Sequence, residues 1–140
     1  MLRQAFFTLD LRATAQGLHD ITREIDGWVG ESAIHDGLLT LFCRHSSASL
    51  LIQENAAPAA RRDLEAYFAR LAPEDPAAYA HNDEGPVDMP AHLRTALTQT
   101  QLAIPVEGGR LMLGTWQGIY LFEHRREPPP RQIVLHLIGE

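Results

Sequence analysis

Three histidines fall at positions where chemistry is usually assembled. His45 closes an apolar run, His81 lies in an acidic, proline-rich stretch, and His92 sits at the margin of a short amphipathic segment. Imidazoles gathered from such places would make a zinc-like site with a position left open for water or substrate. The spacings between them match no local zinc signature. Spacing alone therefore fits equally well one hydrogen-bonded core histidine and two solvated ones. His19, His35, His124 and His136 stand in less suggestive surroundings.

A second group is Ser46-Ser47-Ala48-Ser49, followed by Gln53-Glu54-Asn55. Hydroxyls and backbone N–H groups just beyond a strand can receive a phosphate. Glu54 and Asn55 can serve as a base, a ligand or a partner for a substrate hydroxyl. The plainer alternative is that Asn55 caps a helix and Glu54 complements its N-terminus. Ser46 beside His45 suggests a nucleophile and its base, but neighbours on a strand face opposite ways, which argues against a hydrolase dyad.

The third group is Gly114-Thr115-Trp116-Gln117-Gly118, an aromatic and an amide bracketed by glycines. Trp116 can stack on a flat heterocycle and Gln117 can bond its edge, with Thr115 beside them. A β-bulge carrying a core tryptophan fits the same text. Arg131 follows a triple proline and can clamp a phosphate or pair with an acid.

Composition narrows the classes. Twelve Lys and Arg against 18 Asp and Glu give a formal net charge of −6 over 140 residues, with no basic run. Nucleic acids and anionic membranes are thus poor partners. A single cysteine, Cys43, excludes an internal disulfide and a CxxC motif. No stretch has the length and apolarity of a membrane span, and the chain reads as one cytoplasmic domain over residues 1–140.

The elements that must position these groups follow from periodicity. Residues 3–12 read as a first strand. Leu18, Ile21, Ile25 and Trp28 form a helical stripe that stops at Gly30. Residues 37–44 and 49–53 read as strands near enough for a hairpin. Residues 55–71 read as a helix with Pro58 in its first turn, 72–88 as a long loop, and Met89 to Leu97 as a short helix. The last third alternates in strands over 102–106, 110–116, 117–124 and 131–138, with a hairpin at Glu107-Gly108-Gly109. Pro105 places its strand at an edge. The class is α+β, a mixed and mainly antiparallel sheet flanked by helices.

Taken together, the text from His45 to Ala56, Tyr79-Ala80-His81, Glu84-Gly85, Met89-Pro90-Ala91-His92-Leu93 and Leu113 to Glu123 resembles the YjbQ-like family, the secondary thiamine-phosphate synthase group. The resemblance implies a compact α+β fold with a curved sheet, assembled as a homotrimer. It implies a site to which His45, His81 and His92 contribute, with Glu54 and Asn55, holding a divalent metal or an anion. Three imidazoles favour a zinc-like ion, whereas diphosphate chemistry would suit Mg²⁺. It also implies a transferase that joins an aminomethylpyrimidine diphosphate to a thiazole phosphate. Trp116 would then stack the pyrimidine, and Ser46, Ser47, Thr115, Gln117 and Arg131 would bind substrate. The alternatives are a metal-dependent hydrolase or lyase on another small phosphorylated metabolite, and a non-catalytic trimeric binding module. One departure is Ala57 and Ala59, where family members often carry acids; Asp63 remains nearby.

Overall fold

In the computed structural model, which describes residues 1–13 and 15–140, the strands fall into two sheets. The larger has the order β1 (Arg3–Leu11), β8 (Arg131–Gly139), β3 (Gly37–Cys43), β5 (Gln101–Glu107), β6 (Arg110–Leu111). The smaller has the order β2 (Gly17–Asp20), β7 (Gln117–Glu123), β4 (Ala48–Glu54). Every ladder is antiparallel. Three α-helices, α1 (Thr22–Glu31), α2 (Pro58–Leu71) and α3 (Asp88–Leu97), complete the α+β fold.

The alternation of the strands decides where the core lies. Leu39 and Leu41 of β3, Ile133, Leu135 and Leu137 of β8, and Leu102 and Ile104 of β5 turn to one face. There they meet Ile25 and Val29 of α1 and Ile119 and Leu121 of β7. β7 is buried along nearly its whole length because its other face is covered too: Tyr120 and Phe122 pack with Leu18, Leu64 and Phe68 beneath α2. Burial of a side chain of this size contributes roughly 1.5–3 kcal/mol, so β7 is a major anchor of the fold.

The departures from expectation have identifiable causes in the hydrogen bonding. Leu18 belongs to β2 rather than to a helical stripe, because its backbone pairs with Phe122. The helix begins only where Asp20 Oδ1 accepts from the Thr22 N–H at 2.9 Å. Gly30 lies inside α1, which ends past it at Ser32, whose hydroxyl donates to Val29 O at 2.7 Å. β3 and β4 form no hairpin, since they sit in different sheets. The strand expected over 110–116 stops at Leu111. Beyond it Gly114 N–H donates to Gln117 Oε1 at 2.8 Å, and the chain coils instead of pairing. Pro105 is tolerated because β6, the edge strand beside it, is only Arg110–Leu111. Among the described residues no helix is long and apolar enough to cross a membrane.

Candidate metal centre

Helix α3 opens with Asp88, and His92 follows four residues later on the same face. The carboxylate sits in the first turn, where the helix dipole favours negative charge. His81 reaches the same point from the preceding loop. That loop is tied down by its own bonds. Asn82 Nδ2 donates to Tyr79 O at 2.7 Å and to Pro76 O at 3.1 Å, and the Tyr79 hydroxyl donates to Pro73 O at 2.7 Å. Gly85, at φ +93°, makes the turn that brings the chain back into α3.

His81 Nε2 lies 3.0 Å and His92 Nε2 3.1 Å from the same oxygen, Asp88 Oδ2. Glu84 adds a carboxylate oxygen 3.9 Å from His81 Nε2. One potential ligand atom from each of His81, Glu84, Asp88 and His92 lies within 4.8 Å of the others. Ligands about 2.0–2.2 Å from a zinc-like ion stand roughly 3–3.5 Å apart, a span that the two imidazole–Asp88 distances meet and the Glu84 oxygen exceeds.

The surroundings fix how the ligands face. His92 Nδ1 is 3.0 Å from Ser46 O, and a carbonyl only accepts, so Nδ1 carries the proton. In the neutral ring Nε2 then presents a lone pair toward Asp88 Oδ2. Two acceptors so close require a cation, a proton or a metal ion, between or beside them. On the far side of the carboxylate, Arg125 Nη1 donates to Asp88 Oδ1 at 2.7 Å. Burial pushes the Asp88 carboxyl up, but its hydrogen bonds, led by that from Arg125, and the nearby imidazoles outweigh this and hold it below the usual carboxylate range. Asp88 is buried while His81 and Glu84 are exposed, so one wall is rigid and the other open.

His45 does not join this cluster. Its Nε2 accepts the Gln132 N–H at 2.8 Å, which uses the lone pair a metal would need. Burial, with the charge of Arg131, lowers its pKa and keeps it a neutral acceptor. The two remaining members of the expected triad are brought together with Asp88 and Glu84 in place of His45.

The other expected groups have structural employment. Glu54 caps α2, both of its oxygens accepting from Ala57 N–H. Asn55 is no cap. Its Nδ2 donates to Thr115 O and Gln117 O, both at 3.3 Å, and its N–H donates to Trp116 O. Thr115 and Gln117 thus serve a pinned loop, from which Trp116 projects 65% exposed. Arg131 faces inward. Its Nε and Nη2 each meet a Glu123 oxygen at 2.6 Å, and Nη2 also donates to Ser47 O and Oγ. Ser47 is consequently buried, and Ser46 serves the site through its carbonyl alone. None of Trp116, Gln117 and Arg131 belongs to the metal-ligand group.

Asp88, Glu84 and Arg125 were missed as site residues. A signal for two of them existed: Asp88 and His92 are four apart on an expected helix, and Glu84 is three from His81. Arg125 had none, because its partner is remote in sequence.

The model of the family described as "UPF0047 protein YjbQ-like" matches residues 7–140. A UPF0047 protein of Synechocystis is 48% identical over 138 residues, covering 99% of this chain and 94% of its own. The UPF0047 protein YjbQ of Salmonella typhimurium is 46% identical over 134 residues, covering 95% and 96%. Among solved structures, a YbjQ-like protein of unknown function from Sulfolobus solfataricus superposes with a TM-score of 0.90 at 25% identity, covering 100% of both chains. A conserved hypothetical protein of Thermus thermophilus gives 0.83 at 34%, covering 94% and 98%. These relatives bear out the fold and the resemblance, but they overturn the activity attached to it. They are named as uncharacterised UPF0047 proteins, and nothing in those names supports a thiamine-phosphate synthase or a transferase.

Proposed function

This chain belongs to the YjbQ-like UPF0047 family, and from that premise we propose that it is a metal protein whose centre is His81, Asp88 and His92, with Glu84 at its open edge. The observation that carries this reading is the convergence of two Nε2 atoms on Asp88 Oδ2 at 3.0 and 3.1 Å. Two imidazoles with one or two carboxylates suit zinc or another first-row ion better than Mg²⁺, which prefers oxygen ligands.

The chain's own groups divide the work. Ser46 O holds the His92 ring so that Nε2 faces inward. Arg125 keeps Asp88 ionised and turned, leaving Oδ2 for the centre. The exposed side, between His81 and Glu84, leaves room for water or a small polar molecule. A metal ion held by these residues would supply Lewis-acid chemistry, polarising an oxygen-bearing group and acidifying water.

Metal analysis and zinc titration of the purified protein test this. The wild type is expected to retain about one ion per chain, and His81→Ala and His92→Ala to lose it. Sub-stoichiometric uptake by the wild type, or equal uptake by both variants, would overturn the proposal.

A second proposal concerns assembly with copies of itself, expected as a trimer. Its support is the outer face of the larger sheet, where Phe6, Leu38 and Phe42 are 67%, 42% and 47% exposed. Val134 and Ile138 of β8 lie beside Phe42 and Leu38 in register, and the row between them carries Phe6 with His136 and Thr40, so the face is apolar with a polar row across it.

A further inference from the structure

A separate cavity of about 300 Å³ opens between the C-terminal half of α2, the start of β2 and the back of α3. That volume is at the lower end of the roughly 300–1,000 Å³ seen for small-molecule sites. Phe68 and Phe122, in edge-to-face contact at 5.3 Å, form its apolar wall. None of the four metal-ligand candidates lines it.

Its charged groups are unevenly paired. Arg126 pairs directly with Glu74, and those two charges cancel. Arg94 is held less directly, by a long ion pair to the same Glu74. Its side chain is only 6% exposed, and its Nη1 stands 3.9 Å from Glu74 Oε1, beyond hydrogen-bond reach. Its Nε is buried with no partner at all, and only Nη2 is engaged, donating to Ala72 O at 2.8 Å. A guanidinium carries five N–H donors, so this one is left under-satisfied, which costs free energy unless something accepts from it.

The opposite charge stands in the same cavity. Glu65 Oε2 accepts the Leu18 N–H at 3.0 Å, and Oε1 has no hydrogen-bond partner among the described residues. The position is built for this carboxylate. A Cβ on Gly17, which adopts φ +127°, would stand 1.9 Å from Glu65 Oε2, so only glycine admits the approach. The cavity thus holds a cation short of hydrogen-bond acceptors, an incompletely used anion and an apolar wall.

We propose that this cavity binds a small zwitterion of the free amino acid class, its carboxylate accepting from Arg94, its ammonium donating to Glu65 and its side chain lying on Phe68 and Phe122. A plain anion would meet the Glu65 carboxylate, and a plain cation would meet the Arg94 guanidinium. Only a ligand bearing both charges leaves neither group unpaired.

Calorimetric titration of the full chain with the common free amino acids tests the proposal, with acetate and methylammonium as half-ligands. At least one amino acid is expected to bind with a Kd below about 1 mM, and each half-ligand at least about tenfold more weakly. Glu65→Gln keeps an acceptor for Leu18 N–H and Arg94→Lys keeps the charge, so both are expected to fold. Each should weaken amino acid binding about tenfold while zinc uptake at the other site is unchanged. Absence of binding at about 10 mM for every amino acid overturns the proposal. So does acetate binding as tightly as the zwitterions, or binding that both variants leave intact.

Discussion

Arg125 Nη1 donates to Asp88 Oδ1 at 2.7 Å across 37 residues of sequence, on the side of the carboxylate away from the two imidazoles. Its positive charge opposes a bound cation, yet its hydrogen bond fixes the ligand that the cation needs. Outer-shell partners of this kind usually contribute a net tenfold to hundredfold to metal affinity. Arg125→Ala is therefore expected to weaken zinc binding by about tenfold in a chelator competition assay. Tighter binding in that variant would show that charge repulsion outweighs orientation.

Acid should unfold this protein through His124. The ring is fully buried, its Nδ1 lacks a hydrogen-bond partner, and burial pushes its pKa down to about 3. Unfolded, it titrates near 6.5. Between those values the unfolded chain takes up a proton that the folded chain refuses, so stability falls as pH falls and is level for this group above about 6.5. From pH 7 to about 4.5 the loss is roughly 2–3 kcal/mol. Asp88, whose pKa is lowered, gives up its own contribution only in more acidic solution. Urea titrations at the two pH values check the loss, and His124→Gln should flatten the difference. A wild-type stability that is level across this window would refute the assignment.

The Arg131–Glu123 pair is 2% and 0% exposed and bonded at both ends. Breaking such a pair from one side leaves a buried charge alone and typically costs about 3–5 kcal/mol. Arg131→Met should show a loss of that order in denaturant midpoints. Adding Glu123→Leu should recover part of it. A single variant as stable as the wild type would mean that water reaches the pair.

Asn55 joins α2's approach to the loop that displays Trp116. Asn55→Ala removes two hydrogen bonds and should cost about 1–2 kcal/mol. In a Trp28→Phe background, the fluorescence anisotropy of Trp116 should fall as well. An unchanged anisotropy would place the loop's rigidity elsewhere.

If the outer face of the larger sheet joins copies, a charge in its middle must separate them. Phe42→Glu is expected to shift the mass measured by light scattering from oligomer to monomer. A wild type that is already monomeric at working concentration would refute the assembly.

Much of the fold was legible because it rests on period-two runs: β1, β3, β5, β7 and β8 lie within a residue or two of where alternation puts them. Leu18 and the 110–116 segment failed for a different reason. Their conformations are set by partners remote in sequence, Phe122 for the one and Asn55 for the other. The proposed metal centre is half legible in the sequence: His81 and His92 stand out, with the irregular loop as their setting. His45 stands outside the cluster, and nothing local to it in sequence shows that Gln132 N–H engages its nitrogen. Glu54, Asn55 and Arg131 illustrate a general hazard: residue types suited to chemistry are equally suited to capping, pinning a loop and burying an ion pair.

The order β1-β8-β3 has a consequence for how the protein comes into being. The strand that lies between the first and the third is translated after both, so β1 and β3 emerge from the ribosome with a gap between them. Until Arg131–Gly139 arrives, two strand edges stand with their backbone groups unpaired, and pairing must wait for contacts distant in sequence. Synthesis is therefore an interval of exposure to aggregation, and loss of β8 would remove the keystone of the sheet rather than trim its border.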